Sequence, residues 1–382
     1  RGACATPRWA APALADTAAA AGLAPALEVP LRVMPLPERI IGRGYYLVQL
    51  SVRKDHFLTM LLDTGYTYAV MLVSSAAERL GDSVSKEGGA REGIGATGSL
   101  WMESIQLLGA EIRASEGARP WPLRPMSGVI VDELVQRKLA EEVGVQLDGM
   151  LGQGFLEQCD MEFDPVRGTL RAWAPGLLPR VALGWTELLV LNMPGDLQGL
   201  LLHLPGSLEP VVGFVDTGAS HTVVNEAAAQ ALGLRAALEA EAAGSGARKV
   251  VRGIGLDGSA LEMPLLNVSG ASLCSAAEVS IVRLAPPPGS VGAPRAYCFG
   301  NTDPPSGGCV GPLRDIELAI GDIRFFEEML TQDQDSIGIF RGPAALLGQD
   351  LLSQLPLRLS TRNRRLWFKH EPYSPVAPSS KL

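Results

Sequence analysis

The sequence predicts a mainly β chain built as two homologous lobes, each a six-stranded-type β unit with short helices, related by a pseudo-twofold axis. Three observations lead there. Three motifs occur twice in the same order along the chain. Extended segments rich in apolar and β-forming residues outnumber helix-like ones. The 43 Gly and 28 Pro among 382 residues supply turns for many short elements.

The duplication is the strongest of the three. Leu61-Leu62-Asp63-Thr64-Gly65 recurs as Phe214-Val215-Asp216-Thr217-Gly218. Gly93-Ile94-Gly95-Ala96-Thr97-Gly98-Ser99 recurs as Gly253-Ile254-Gly255-Leu256-Asp257-Gly258-Ser259. Met150-Leu151-Gly152-Gln153 recurs as Leu346-Leu347-Gly348-Gln349, and each copy closes on a strand-like ending near Gly168-Thr169-Leu170 or Arg364-Arg365-Leu366. Repeated order of this kind marks internal homology, and reading it first sets the fold.

The elements follow in chain order. Residues 1–40 read as an N-terminal extension. Its first 27 residues are Ala-rich, carry Arg1 and Arg8 against the single acid Asp16, and look like the remnant of a chloroplast or mitochondrial transit peptide. The first lobe is expected at 41–178. Within it, Tyr46 to Leu50 and His56 to Leu62 read as strands broken by a turn at Lys54-Asp55, and 133–143 as a helix between Asp132 and Gly144. Ile94 to Gly98 and Ile254 to Gly258 lie between extended stretches, as hairpin tips do. The lobe boundary falls near Pro175 to Pro179, and the second lobe at 179–370. There a helix is predicted over 226–232, capped by Asn225 and stopped by Gly233. The second copy is longer by an insert at 284–313, which we expect outside the duplicated β core, at the cleft edge or on a surface offered to a protein partner. Residues 371–382 form a Pro/Ser tail ending Ser380-Lys381-Leu382, the form of a peroxisomal address; of the two address signals the N-terminal one is preferred.

Composition narrows the function classes. With Lys+Arg 33 against Asp+Glu 41, the net charge of -8 argues against a nucleic-acid binder, whose phosphate contacts need a basic surface. No window reaches the length of apolar sequence that a membrane-spanning helix requires. The four His and five Cys show no metal-ligand spacing, so no metal and no cofactor is expected. Cys298 and Cys309 flank a Gly/Pro-rich loop, where a local disulfide is one reading and two free thiols the other.

The paired Asp-Thr-Gly carries the chemistry. An apolar strand ending at Asp sets a carboxyl beside a low-dielectric floor. Gly65 and Gly218 permit the tight turn and close backbone approach, and Thr64 and Thr217 offer hydroxyls that can lock it. If two such turns meet across a twofold, Asp63 and Asp216 face one another and cannot both ionise cheaply, so they share a proton. One carboxylate then draws a proton from water while the other protonates a substrate carbonyl.

On these motifs, over about 45–368, the chain resembles the aspartic peptidases, the retropepsin and pepsin superfamily. The resemblance implies a bilobal acid-protease fold and the activity of an aspartic endopeptidase, with Asp63 and Asp216 catalytic. It implies that Thr64 and Thr217 interlock the lobes, and that Leu151-Gly152 and Leu347-Gly348 support the Asp loops from behind. It further implies two flaps at Ile94-Gly95-Ala96-Thr97-Gly98 and Ile254-Gly255-Leu256-Asp257-Gly258. An extended peptide or protein substrate would lie in the interlobe cleft, paired with a flap as an added strand. Neither flap segment contains Tyr, so fused retropepsin-type lobes describe the chain better than pepsin proper.

One departure matters. Tyr66 follows the first motif where the family has a small residue, whereas Asp216-Thr217-Gly218-Ala219-Ser220 is regular. We expect the Tyr66 ring to turn outward and leave the dyad open. The alternative reading is a proteolytically inactive member kept as a protein-binding or structural subunit of a larger complex. Cys159 reads as a core thiol, His221 as a rim or packing residue, and the scattered Trp as packing.

Overall fold

Short strands dominate the computed structural model of the chain. It describes residues 24–35, 44–53, 56–94, 99–113, 120–132, 137, 146–179, 184–207, 210–245, 249–254, 260–276, 280–284, 296–300, 308–326 and 342–369. Three multi-strand sheets, one two-stranded ribbon and a few short helices make up the described residues, which is a mainly β architecture.

Two of the sheets have ten strands and the same topology. The first runs Val84–Ile94, Ser99–Leu107, Met126–Val131, Val70–Val73, Gly149–Leu151, His56–Leu62, Gly44–Val52, Ala110–Ile112 and Trp121–Pro122. The second runs Val250–Ile254, Ala260–Val268, Ile316–Ile320, Val223–Val224, Ala345–Leu347, Val211–Val215, Gln198–His203, Ala271–Cys274 and Cys309–Leu313. Even the rare parallel pairs recur: Gly149–Leu151 beside His56–Leu62 matches Ala345–Leu347 beside Val211–Val215. Each sheet also carries one side strand, Arg32–Pro35 in the first and Leu191–Asn192 in the second. The duplicated motifs thus sit at matching points of matching sheets.

A six-stranded antiparallel sheet joins the repeats, in the order Leu27–Pro30, Thr169–Trp173, Asp160–Asp164, Leu357–Ser360, Arg365–Lys369 and Trp185–Leu189. Three strands come from each repeat. They meet where Glu162 faces Arg358, and Met161 and Phe163 face Leu359 and Leu357. Alternation along these strands separates two faces. Phe163, Leu170, Leu357, Leu359, Leu366 and Phe368 are buried in the main core, with Tyr46 stacked on Phe163 at 5.1 Å between centroids. The other face holds an ionic chain in which buried Glu162 accepts from Arg171 and from Arg358 (2.6 Å), and Arg358 lies 4.2 Å over the Trp185 ring. A buried carboxylate with two guanidinium partners avoids the desolvation penalty that an unpaired charge there would carry. At the boundary, Asp160 accepts from the amides of Gly176 (2.9 Å) and Leu178 (3.0 Å) and from the Ser360 hydroxyl (2.8 Å), which ties the linker to both repeats.

Several boundaries differ from those read in the sequence. The segment 1–40, read as an extension, contributes Leu27–Pro30 to the joining sheet and Arg32–Pro35 to the first sheet. Cys309–Leu313, read as the end of the insert, is a strand of the second sheet paired with Ala271–Cys274. Of the rest of 284–313, Leu284, Ala296–Gly300 and Gly308 are described, with Ala296–Gly300 paired to Ser280–Leu284 as a two-stranded ribbon. The disulfide joins Cys274 to Cys309, not Cys298 to Cys309, because the register sets Cys274 directly opposite Cys309 while Cys298 lies opposite Val282 in the ribbon. The helix at Glu226–Ala231 is capped as expected, the Asn225 side chain accepting from the Ala228 amide at 2.8 Å, and an unforeseen helix follows at Leu234–Ser245. Of the helix read at 133–143 only residue 137 is described; the remainder, and the tail at 371–382, lie outside the described residues.

Candidate active site

Each Asp is delivered by a strand whose neighbour is a parallel partner. The Asp63 amide donates to the Leu151 carbonyl (2.9 Å) and the Asp216 amide to the Leu347 carbonyl (3.0 Å), so Leu-Gly lies directly behind each turn. The glycines are required by close approach. A Cβ on Gly152 would fall within 2.7 Å of the Tyr66 ring and against two carbonyls of its loop, and one on Gly348 within 2.9 Å of the Thr222 amide.

The two turns meet face to face. The Thr64 amide donates to Thr217 Oγ1 (3.1 Å) and the Thr217 amide to Thr64 Oγ1 (2.9 Å). Thr64 Oγ1 donates in turn to the Val215 carbonyl (2.7 Å), and Thr217 Oγ1 to the Leu62 carbonyl (2.9 Å). Both Thr are buried, so four otherwise unsatisfied backbone groups find partners in one reciprocal knot.

Above the knot stand the carboxyls. A Cβ on Gly65 would lie 2.7 and 2.9 Å from the Asp216 oxygens, and one on Gly218 2.5 and 2.7 Å from those of Asp63. Each carboxyl therefore rests on the glycine of the opposite motif, and a hydrogen bond joins the two side chains. Their inner oxygens are oriented by amides: Gly65 donates to Asp63 Oδ1 (2.8 Å), and Gly218 (2.8 Å) and Ala219 (3.2 Å) donate to Asp216 Oδ1. Burial, then the Asp216 charge and the shared hydrogen bond, hold Asp63 well above the ordinary carboxylate range. Burial also raises Asp216, while the bond from Asp63 and the surrounding amides pull it back. Two carboxyls so placed titrate as a coupled pair and not as separate residues. Such a pair can take a proton from one group and give one to another in a single event.

Two residues absent from the sequence-based site complete it. Gln153 Nε2 donates to the Thr64 carbonyl (2.5 Å) and Gln349 Nε2 to the Thr217 carbonyl (2.9 Å), both Gln being buried. Their signal was available, since each Gln follows Leu-Gly in both copies. The segments read as flaps belong to antiparallel strand pairs, Val84–Ile94 with Ser99–Leu107 and Val250–Ile254 with Ala260–Val268. Ile94 and Ile254 end the first strand of each, and the tips Gly95 to Gly98 and Gly255 to Gly258 lie outside the described residues.

The Tyr66 ring does not turn out to solvent. It is 8% exposed, belongs to the main core, and meets Tyr68 edge-on at 5.7 Å between centroids. Its hydroxyl has no partner among the described residues, and burial holds it well above its ordinary pKa. Thr67 has no hydrogen bond to Asp63 among the described residues either; Ser220 Oγ instead meets His221 Nδ1 at 2.8 Å, with His221 Nε2 3.7 Å from Glu317. Cys159 is buried and its thiol is pushed up by burial, as befits a packing residue. Among the described residues no cluster of His, Cys, Asp and Glu could hold a metal, and no helix is long and apolar enough to cross a membrane.

No protein-family model matches the chain, and no curated protein matches it.

Proposed function

We propose that the chain is a bilobal aspartic endopeptidase of the retropepsin-like kind, each repeat forming one lobe and the dyad lying at the floor of the cleft between them. The observation that carries this reading is the seating of each Asp carboxyl on the glycine of the other motif, over the reciprocal Thr64–Thr217 knot. A turn-capping role for two separate Asp would not require the loops to meet. In the proposed reaction the ionised member takes a proton from water, whose oxygen bonds to the peptide carbonyl carbon. The protonated member gives its proton to the carbonyl oxygen. Proton transfer to the amide nitrogen and cleavage of the C–N bond then leave an acid and an amine, with the dyad back at one proton.

The second reading is an inactive relative that binds protein partners through its cleft or its insert. Its support is the outer side of the dyad. Ala219 has no hydroxyl, and the buried Tyr66 hydroxyl bonds nothing among the described residues, so neither residue gives its Asp a side-chain hydrogen bond. Incubation with a mixed peptide library separates the two. The peptidase reading expects cleavage by the unaltered chain that is blocked by a transition-state-mimicking inhibitor of aspartic peptidases and absent in Asp216→Asn. Absence of cleavage from acid to neutral pH would decide for the binding subunit.

A further inference from the structure

A cavity of about 410 Å³ opens beside the Asp63 loop, within the size range of small-ligand sites. Thr67 and Tyr68 of that loop line it, with Gln153, Glu157, Arg124 and Asp196. Asp196 closes the Pro194–Asp196 turn of the second repeat, so both repeats build the wall.

Three features point to an occupant that donates hydrogen bonds and carries positive charge. Gln153 is 1% exposed, and because its Nε2 is committed to the Thr64 carbonyl, its Oε1 is an acceptor with no partner among the described residues. A buried acceptor left open is costly unless something fills it. Glu157 and Asp196 are exposed carboxylates with no ion pair among the described residues, against the single guanidinium of Arg124. Asp196 is held at φ 60°, directly after Gly195 at φ 72°, so its carboxylate is set by a turn with two successive left-handed positions, a region that few residues other than Gly, Asn and Asp enter.

We propose that this cavity is a subsite for a basic side chain, lysine or arginine, of a peptide bound next to the dyad. Asp196 and Glu157 face the charge and Gln153 Oε1 accepts a hydrogen bond. The proposal rests on the peptidase reading and adds the class of substrate that it selects.

The test uses the full chain carrying Asp63→Asn, so that binding is read without turnover, beside cleavage-site profiling of the unaltered chain. Peptides of one sequence with Arg, Gln or Glu at each successive position are titrated by fluorescence anisotropy. At one position Arg should bind about tenfold more tightly than Gln. That ratio should fall toward one in Asp196→Asn, which keeps the left-handed turn accessible. Such a ratio with no cleavage by the unaltered chain sinks the peptidase reading and keeps the subsite. Cleavage without charge preference, selection of Glu through Arg124, or a ratio unmoved by Asp196→Asn each overturns the subsite and leaves the peptidase reading standing.

Discussion

The loops Asp63 to Tyr68 and Asp216 to His221 agree through the Asp-Thr-Gly and the groups that hold it, and their side chains part company beyond it. Hydrogen bonds within the Thr64–Thr217 knot, from Leu-Gly, and from Gln153 and Gln349 recur copy for copy. One position later the likeness ends. Tyr66 is a core residue where Ala219 is a small one. Tyr68 reaches the strand Val84–Ile94 through the Glu92 carbonyl (3.4 Å) with Arg91 over its ring, whereas His221 turns toward Glu317 of the strand Ile316–Ile320. The lesson is that reciprocal geometry holds residues identical, because a change in either loop leaves a buried partner in the other unsatisfied. Beyond the Asp-Thr-Gly and its Leu-Gly-Gln support, each loop adapts to its own surroundings.

The largest expected effect tests the shared part. Asp63→Asn and Asp216→Asn should each reduce peptide hydrolysis by about a thousandfold or more, equally from either loop, because each removes the single shared proton. A variant retaining most of its activity would break the equivalence of the two loops.

Next comes the part that differs. Tyr66→Ala should lower stability by about 3–5 kcal/mol, the range for large-to-small changes in a packed core, as read by chemical denaturation. Loss of activity in the more drastic Tyr66→Ser would then report unfolding and not chemistry. A fully folded Tyr66→Ala protein of unchanged stability would mean the ring is not a core element.

The knot should respond symmetrically. Thr64→Val and Thr217→Val each leave an amide and a carbonyl of the opposite loop unpaired, so each should cost about 1–3 kcal/mol per orphaned group. A difference of several kcal/mol between the two variants would show that the loops bear unequal shares. The smallest effect is expected of Tyr66→Phe. Removing a buried hydroxyl that bonds nothing among the described residues should leave melting temperature and cleavage rate unchanged or slightly higher.

What was legible in the sequence follows the same division. The Asp-Thr-Gly and Leu-Gly segments were readable because reciprocal contact and close approach restrict them to few residue types, and the chain contains them twice. Asn225 marked its helix because a side-chain cap is a local signal. The Cys274–Cys309 bridge was not readable, since its partner choice depends on the register between two strands 35 residues apart. Leu27–Pro30 and Arg32–Pro35 were hidden in an Ala- and Pro-rich stretch, where an edge strand needs little β-forming sequence once a neighbour supplies the ladder. The burial of Tyr66 was hidden because the sequence shows its bulk but not the space behind Gly152 that receives it.

The central claim is that Asp63 and Asp216 hold one proton between them in a buried site, and the pH dependence of folding stability tests it most directly. In the folded chain burial raises both groups above the ordinary Asp value of 3.8. Above that value the unfolded chain releases the proton that the folded pair keeps, so stability from this source is full below 3.8 and is lost as pH rises toward the raised value of the pair. Asp63→Asn removes the larger part of that loss, the part that Asp63 contributes. The melting temperature of the variant should therefore exceed that of the unaltered chain, with a gap that widens as pH rises above 3.8. Melting curves that run parallel across this range, or a variant that becomes relatively less stable as pH rises, would contradict a shared proton and with it the proposed dyad.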